Sequence, residues 1–112
     1  MKKMENTFMV SGFITRDAEI RQCTTSSVAR FSISVSRTEK HEDGDRRISA
    51  FLPIESWRKN EHAGSFEKLV KGVCITVEGY FRPEMWTDKE GVNHYRVVLV
   101  ANKFYETPEK EG

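Results

Sequence analysis

Three aromatic residues of this 112-residue chain lie near basic residues in segments that read as exposed strands. Trp86 shares a short segment with Arg82, and Phe51 and Trp57 alternate with apolar residues so that they emerge opposite a predicted core. An aromatic ring can receive a flat ligand by stacking, and a neighbouring guanidinium adds a positive charge. These residues indicate either a binding surface for a flat ligand or a surface that another chain covers.

The sequence lacks the residue patterns on which common catalytic and metal sites are built. It contains no Ser-His-acid signature, no glycine-rich phosphate loop and no carboxylate pair in a recognisable context. The sequence spacing of the three histidines, His41, His62 and His94, does not match that of metal ligands. His41 is interpreted as a solvated surface residue. Cys23 and Cys74 lie far apart, which predicts buried, reduced thiols in a cytosolic protein. We therefore predict no enzymatic activity, no metal site and no cofactor.

Length and composition are typical of one globular domain. The chain is 38% apolar and 31% charged, without an apolar run near the roughly 20 residues of a membrane helix. Lys2 and Lys3 precede an apolar run that is too short for a signal peptide. Residues 1–103 hold 17 of the 18 basic and 14 of the 17 acidic residues, and this mildly basic body is compatible with a polyanionic partner. We predict a folded domain over residues 1–105, a disordered polar tail over residues 106–112 and no membrane association.

Alternation of apolar and polar residues predicts the first two strands. Residues 7–14 form the first strand, residues 15–18 make a turn, and residues 19–23 continue the strand after that bend. In the second strand, residues 29–35, odd-numbered apolar residues alternate with arginine and serine. The charged segment 38–46 is predicted to be an exposed loop or a flexible hairpin tip.

A third strand, residues 47–57, is predicted to have two unlike faces. One face is a row of core residues, Ile48, Ala50, Leu52 and Ile54. Phe51 and Trp57 lie on the other face, and Pro53, which lacks an N–H, predicts a sheet edge or a bulge at that point. The two rings then belong to a binding surface, to the inner face of a sandwich or to a subunit contact.

The rest of the chain predicts one helix and two further strands. Residues 60–71 repeat apolar side chains at three- and four-residue spacing, and Gly72 follows where a helix C-terminal glycine belongs. Gly79 predicts a bulge in the fourth strand, Gly91 a turn after it, and residues 93–104 a fifth strand. This order is that of the OB-fold, an all-β, five-stranded Greek-key barrel with one short helix between strands 3 and 4, which binds oligonucleotides or oligosaccharides.

Several segments, in order and at the right intervals, resemble the bacterial single-stranded DNA-binding protein (SSB) family. The resemblance spans roughly residues 6–105. It is carried by residues 6–21, residues 29–35, Leu69-Val-Lys-Gly72, Val77-Glu-Gly79 and Trp86-Thr-Asp-Lys-Glu-Gly91. It implies an OB-fold, usually in a homotetramer with a dimer as the alternative, that coats single-stranded DNA with little sequence preference. It also implies a cytoplasmic, nucleoid-associated protein of DNA replication, recombination or repair.

The resemblance also implies roles for individual residues. It places base-stacking positions at Phe51, Trp57 and Trp86, and basic positions along the DNA path at Arg21, Lys59, Lys71 and Arg82. Three further basic residues at exposed strand positions are predicted to contact the DNA backbone as well, namely Arg30, Arg37 and Arg96.

The chain departs from the family pattern in ways that predict weaker DNA binding. Residues 35–37 lack an aromatic that is frequent there, Glu84 and Met85 stand at positions that are often basic, and Leu52-Pro53 replace polar positions. The sequence ends at Gly112, where family members commonly continue through a glycine-rich linker to an acidic tip. A tailless or truncated member would lack recruitment of proteins through that tip.

Three alternatives to a general single-strand binder stay open. A primosome-like accessory protein is a short, tailless OB dimer that bridges DNA and replication proteins. A protein-interaction module would have negligible DNA affinity at low salt, and replacement of Trp86 would not change that affinity. An oligosaccharide-binding OB domain is disfavoured by the arginines beside the aromatic residues.

Overall fold

The computed structural model describes residues 2–109. Within them lie six strands and one 3₁₀ helix, with the bounds β1 Phe8–Ile14, β2 Glu19–Gln22, β3 Ser26–His41, β4 Gly44–Lys59, the helix Asn60–Lys68, β5 Cys74–Thr87 and β6 Asn93–Glu106. β1 and β2 are the two parts of the predicted first strand, and β3 to β6 are predicted strands 2 to 5. Residues 110–112 of the predicted polar tail lie outside the described residues, and β6 extends one residue past the predicted domain boundary.

The strands close into the predicted OB barrel. They follow the order β1-β5-β6-β4-β3-β2, and an additional pairing of β1 with β3 closes the sheet into a barrel, with β2 beside β3. β4 and β6 are parallel neighbours, and the other pairs are antiparallel. The fold prediction is thus confirmed, with the first strand bent into two parts.

Apolar residues from β1, β3, β4, β5 and β6 and from the helix fill the barrel. The buried cluster consists of Ile14, Ala29, Phe31, Ile33, Ile54, Phe66, Leu69, Ile75, Val77 and Ala101. Phe66 and Leu69 are 1% exposed, so the segment between β4 and β5 covers one end of the barrel. No helix within residues 2–109 is long and apolar enough to cross a bilayer.

The helix is shorter and tighter than the predicted helix over residues 60–71. It ends at Lys68 as a 3₁₀ helix, in which side chains three residues apart lie on one side. Ala63, Phe66 and Leu69 keep that spacing and pack toward the core, whereas Val70, predicted as part of the same apolar row, is 40% exposed. Gly72 has the positive φ, 92°, expected where the segment ends.

The segment over residues 38–46, predicted as an exposed loop or a flexible hairpin tip, is the exposed tip of a β-hairpin, and its residues are paired strand on both sides of the turn. β3 continues to His41 and β4 begins at Gly44, so a tight turn joins two 16-residue strands. Opposite charges face each other across this hairpin at Glu39 and Arg46, which favours the pairing. The hairpin extends beyond the barrel, and Ile48, predicted in the core, is therefore 50% exposed. The predicted core row of β4 holds only for Leu52 and Ile54, because Ala50 is exposed as well.

The hairpin of β5 and β6 carries the bulge predicted at Gly79. The pairing shifts from Glu78–Lys103 to Gly79–Ala101, which leaves Asn102 as the extra residue on β6. A Cβ atom at position 79 would overlap the carbonyl oxygen of Val100, so only glycine allows this close approach. Beyond the bulge the hairpin continues outward to a turn at Gly91, whose φ is 81°.

The two cysteines are free, but the predicted burial is wrong for Cys23. Cys23 is exposed just after β2, where no element covers it, and Cys74 is partly buried at the start of β5. A thiol at the end of a short edge segment has no core to enter, which alternation within strands does not reveal.

Candidate functional site

Cross-strand pairing brings most of the predicted site residues to one outer face of the barrel. Residues that pair directly across a sheet project to the same side. Arg21 pairs with Val28 and Val28 with Trp57, while Arg30 pairs with Glu55. Because Glu55 in turn pairs with β6, this face continues onto the β5–β6 hairpin. We call it the aromatic face; its predicted site residues are Phe51, Trp57, Trp86, Arg21, Lys59, Arg30, Arg82 and Arg96.

Phe51 presents an uncovered ring on the β3–β4 hairpin. Its side chain is 73% exposed, and its cross-strand partner is Ser34. Serines at 32, 34 and 36 are too small to cover a ring across the strand. The alternation in β4 therefore puts a large apolar surface in water with no partner among residues 2–109.

Trp57 lies near the C-terminal end of the same strand, β4, and is 39% exposed. Its indole N–H donates a hydrogen bond to Oε1 of Glu55, which fixes the ring on the aromatic face. Lys59 follows two residues later on the same side, beside a shallow cleft lined by Thr24 and Thr25. Arg21 completes this part of the face across β3.

Trp86 is held from one side by its neighbours on β6. Its ring stacks on His94 at a centroid distance of 5.3 Å and an interplanar angle of 18°, and the Arg96 guanidinium lies 5.4 Å from the ring centroid. The pairing of β1 with β5 ends at Gly79, so no strand within residues 2–109 flanks β5 on its other side at Trp86. The ring is 45% exposed, so part of its surface remains accessible to a ligand.

Asp88 organises the turn that supports Trp86. Its Oδ1 accepts hydrogen bonds from the backbone N–H groups of Glu90 and Val92, both at 2.9 Å, and its Oδ2 lies 2.7 Å from Nε2 of His94. The hydrogen bond with His94, followed by the backbone hydrogen bonds, lowers the pKa of Asp88. The charged carboxylate therefore holds His94 in place under the tryptophan.

Two glutamates tie three arginines of the aromatic face into one network. Oε1 of Glu84 accepts a hydrogen bond from Nη2 of Arg82 at 2.7 Å, and Oε2 accepts one from Nε of Arg96 at 2.9 Å. Glu55 lies 3.8 Å from Nε of Arg30 and 3.7 Å from Nη2 of Arg82. The pairing with Arg82 and then with Arg96 lowers the pKa of Glu84, and the same hydrogen bond raises the pKa of Arg82.

Sequence reasoning missed Glu55 as part of the face and treated Glu84 only as a departure from a basic pattern. A signal for Glu55 was present, since alternation in β4 places it between Phe51 and Trp57 on their side. For Glu84 the pairing with Arg96 across the β5–β6 hairpin was the missing information.

The structure does not bring Arg37 and Lys71 to the aromatic face. Arg37 pairs with Ile48, so it projects to the opposite side of the hairpin from Phe51. Lys71 follows the helix at the covered end of the barrel, where its backbone N–H donates to Oδ1 of Asp17. No ion pair or side-chain hydrogen bond among residues 2–109 links either residue to the aromatic rings.

A groove runs beside the aromatic face where β4 separates from β6. β4 pairs with β6 only from Ile54, so Pro53 and the residues before it lack a neighbour on that side. The groove has a volume of about 360 Å³, with Phe31, Pro53 and Leu99 among its apolar residues and Arg16, Arg30 and Arg96 among its charged ones. Apolar surface framed by arginine suits a ligand that has both flat apolar and anionic parts. Within residues 2–109, no cluster of three or more His, Cys, Asp or Glu side chains is arranged to hold a metal ion.

Comparison with known proteins links this geometry to one family. The model of the "Single-strand binding protein family" matches residues 5–106. A "Single-stranded DNA-binding protein" of Streptococcus pneumoniae serotype 4 is 32% identical over 103 residues, which are 90% of this chain and 64% of that relative. A "Single-stranded DNA-binding protein 3" of Streptococcus agalactiae serotype V is 29% identical over 90% of this chain and 72% of the relative.

A solved structure shares the fold. "Plasmodium falciparum SSB complex with ssDNA" superposes with a TM-score of 0.78 over 96% of this chain and 99% of that one, at 16% identity. At this identity the likeness shows the OB architecture alone. The chain spans less than two thirds of the length of the pneumococcal relative, so the match concerns the barrel.

Proposed function

The chain belongs to the single-strand binding protein family, and we propose that it binds single-stranded DNA with little sequence preference and protects it during replication, recombination or repair. The observation that carries this proposal is the aromatic face itself. Phe51, Trp57 and Trp86 are all exposed there, and basic side chains lie beside the two tryptophans. The proposed binding domain is residues 1–105.

Bases stack on the three rings. An unpaired base has an exposed π-face whatever its identity, so stacking tolerates any sequence and contributes about 1–3 kcal/mol per base. Trp86 offers only part of its ring, because His94 and Arg96 on β6 already contact it. Each ring therefore holds about one base, and the spacing between rings is bridged by the sugar–phosphate backbone.

Phosphates contact the basic residues between the rings. Arg21 and Lys59 lie beside Trp57 and have no ion pair within the described part of the chain, so they are ready to neutralise phosphates. Each neutralised phosphate releases counterions, which makes the affinity fall as salt rises. Binding of this kind uses stacking and charge alone and requires neither catalysis nor a cofactor.

We propose that the protein acts as a homo-oligomer, a tetramer with a dimer as the alternative, in the cytoplasm and at the nucleoid. Apolar side chains on the side of the β5–β6 hairpin opposite Trp86 support an interface between copies. Met85, Tyr95 and Val97 are 61%, 72% and 58% exposed there, more than an isolated hairpin is expected to leave in water.

Intrinsic tryptophan fluorescence during titration with poly-dT tests the proposal directly. Both tryptophans lie on the aromatic face, so bound bases should quench their emission, and the quenching should weaken as salt rises. A parallel measurement of molecular mass in solution tests the oligomer. Absence of both quenching and binding at low salt would refute DNA binding and would favour a protein partner for the aromatic face.

A further inference from the structure

Three of the four arginines on the aromatic face are already paired with carboxylates. Glu84 holds Arg82 and Arg96, and Glu55 approaches Arg30 and Arg82. A carboxylate offers guanidinium the same kind of planar, charge-assisted contact that phosphate oxygens offer. The network therefore occupies the arginines in the way that a DNA backbone would.

We propose that Glu84 and Glu55 are specificity-determining residues that act as internal substitutes for phosphate, so that binding depends on unstacked bases more than on backbone charge. The inference rests on the proposed function, because it concerns how the aromatic face selects its ligand. Glu84 is the stronger of the two, since both of its oxygens accept hydrogen bonds from arginine at 2.7–2.9 Å.

The first consequence concerns the number of phosphates that the protein neutralises. A phosphate that approaches Arg82 or Arg96 must displace Glu84 or share the arginine with it, and the freed carboxylate then repels the DNA. An exchange of one anion for another releases fewer net counterions than binding to a free cation. The salt dependence should therefore be smaller than the number of basic residues on the face implies.

The second consequence concerns which nucleic acids are bound. Duplex DNA presents a dense row of phosphates, but its bases are stacked on each other and cannot reach Phe51, Trp57 or Trp86. A face whose arginines are already paired with carboxylates offers few free cations to the phosphates of duplex DNA. Single strands still gain the stacking energy, so the two glutamates increase the ratio of single-strand affinity to duplex affinity.

Glu84→Gln tests this with little change in shape. Glutamine keeps the size and one hydrogen-bond acceptor of Glu84 but removes the charge that competes with phosphate. The matched control is Glu90→Gln, in the turn of the same hairpin, because it changes the net charge equally and Glu90 takes part in no ion pair within residues 2–109. Affinities for poly-dT and for a duplex of equal length are measured between about 50 and 300 mM salt, below the unfolding temperature of each variant.

For Glu84→Gln we expect the slope of log K against log salt to steepen by about 0.7 for each phosphate contact regained. At 0.1 M salt each such contact corresponds to about fivefold in affinity for poly-dT. The affinity for the duplex should rise by a larger factor than that for poly-dT, and Glu90→Gln should change either quantity by less than half as much.

Two results separate the possible failures. If the wild-type protein binds poly-dT but Glu84→Gln and Glu90→Gln have equal slopes, the inference is overturned and the proposed function stands. If the wild-type protein binds no poly-dT at low salt, the proposed function fails and this inference fails with it.

Discussion

Replacement of Trp86 by alanine isolates the contribution of one stacking ring. The ring lies on a hairpin outside the buried cluster, and its contacts on β6 are with His94 and Arg96, so its removal opens no cavity in the core. The ring is 45% exposed, and stacking of one base on it contributes about 1–3 kcal/mol. At 25 °C this equals a loss of about 5- to 150-fold in affinity for poly-dT.

The assay is a poly-dT titration that follows the emission of Trp57, the remaining tryptophan. The expected loss of the His94 and Arg96 contacts is at most about 1 kcal/mol of folding free energy, so the variant stays folded at 25 °C. Trp86→Phe retains a smaller stacking surface and should recover part of the affinity. Tyr95→Ala, an exposed aromatic on the other side of the hairpin, serves as the positional control once its oligomeric state is known to be unchanged.

Refutation of the stacking model would be a folded Trp86→Ala protein with wild-type affinity, or a Tyr95→Ala protein with an equal loss. The first result would remove Trp86 from the site. The second would mean that the loss of affinity is not specific to the tryptophan ring.

Three further predictions use other parts of the chain. Arg21→Gln should reduce the salt slope for poly-dT by about 0.7, whereas Arg37→Gln, on the opposite side of its hairpin, should leave the slope unchanged in the same titration. Gly79→Ala should lower the unfolding temperature measured by circular dichroism, because the new Cβ overlaps a backbone carbonyl of β6, and an unchanged temperature would contradict the bulge geometry. The folded-state pKa of Asp88 is lowered, so its carboxylate stabilises the hairpin turn at neutral pH, and this stabilisation is lost as the pH falls through that pKa. Acid titration should therefore change Trp86 emission at a pH where Asp88→Asn, already without the charge, shows no such transition.

The sequence predicted the barrel because its strands obey simple rules. Alternation in β3 and in the inner part of β4 marked the core face, and Gly79 and Gly91 marked the bulge and the turn. The helix was found from apolar spacing, but a three-residue spacing fits a 3₁₀ helix, and Val70 was therefore assigned to the wrong side. Apolar periodicity and the glycines of bulges and turns are local features, so a single sequence predicts them well.

The sequence did not predict where the core ends along a strand. Ile48 and Ala50 continue the alternation of Leu52 and Ile54, yet they lie on the part of the hairpin beyond the barrel and are exposed. Alternation specifies the side to which a residue points, whereas burial depends on a neighbour that other strands must supply. Arg37 was misplaced for a different reason, because continued alternation in β3 puts it on the side of Val35 and opposite Phe51.

The ionic network shows why the electrostatics of the face needed the fold. Arg30, Glu55, Arg82, Glu84 and Arg96 come from four strands, and their contacts depend on how those strands pair. Arg30 meets Glu55 across β3 and β4, and Arg96 meets Glu84 across β5 and β6. Arg82 reaches Glu55 because β4 lies beside β6 in the closed sheet. Counting basic residues along the sequence treats Arg82 and Arg96 as free cations, although Glu84 already holds both. The affinity of this face for DNA therefore depends on which arginines are unoccupied, and that number is set by the pairing of strands and not by the charge of the chain.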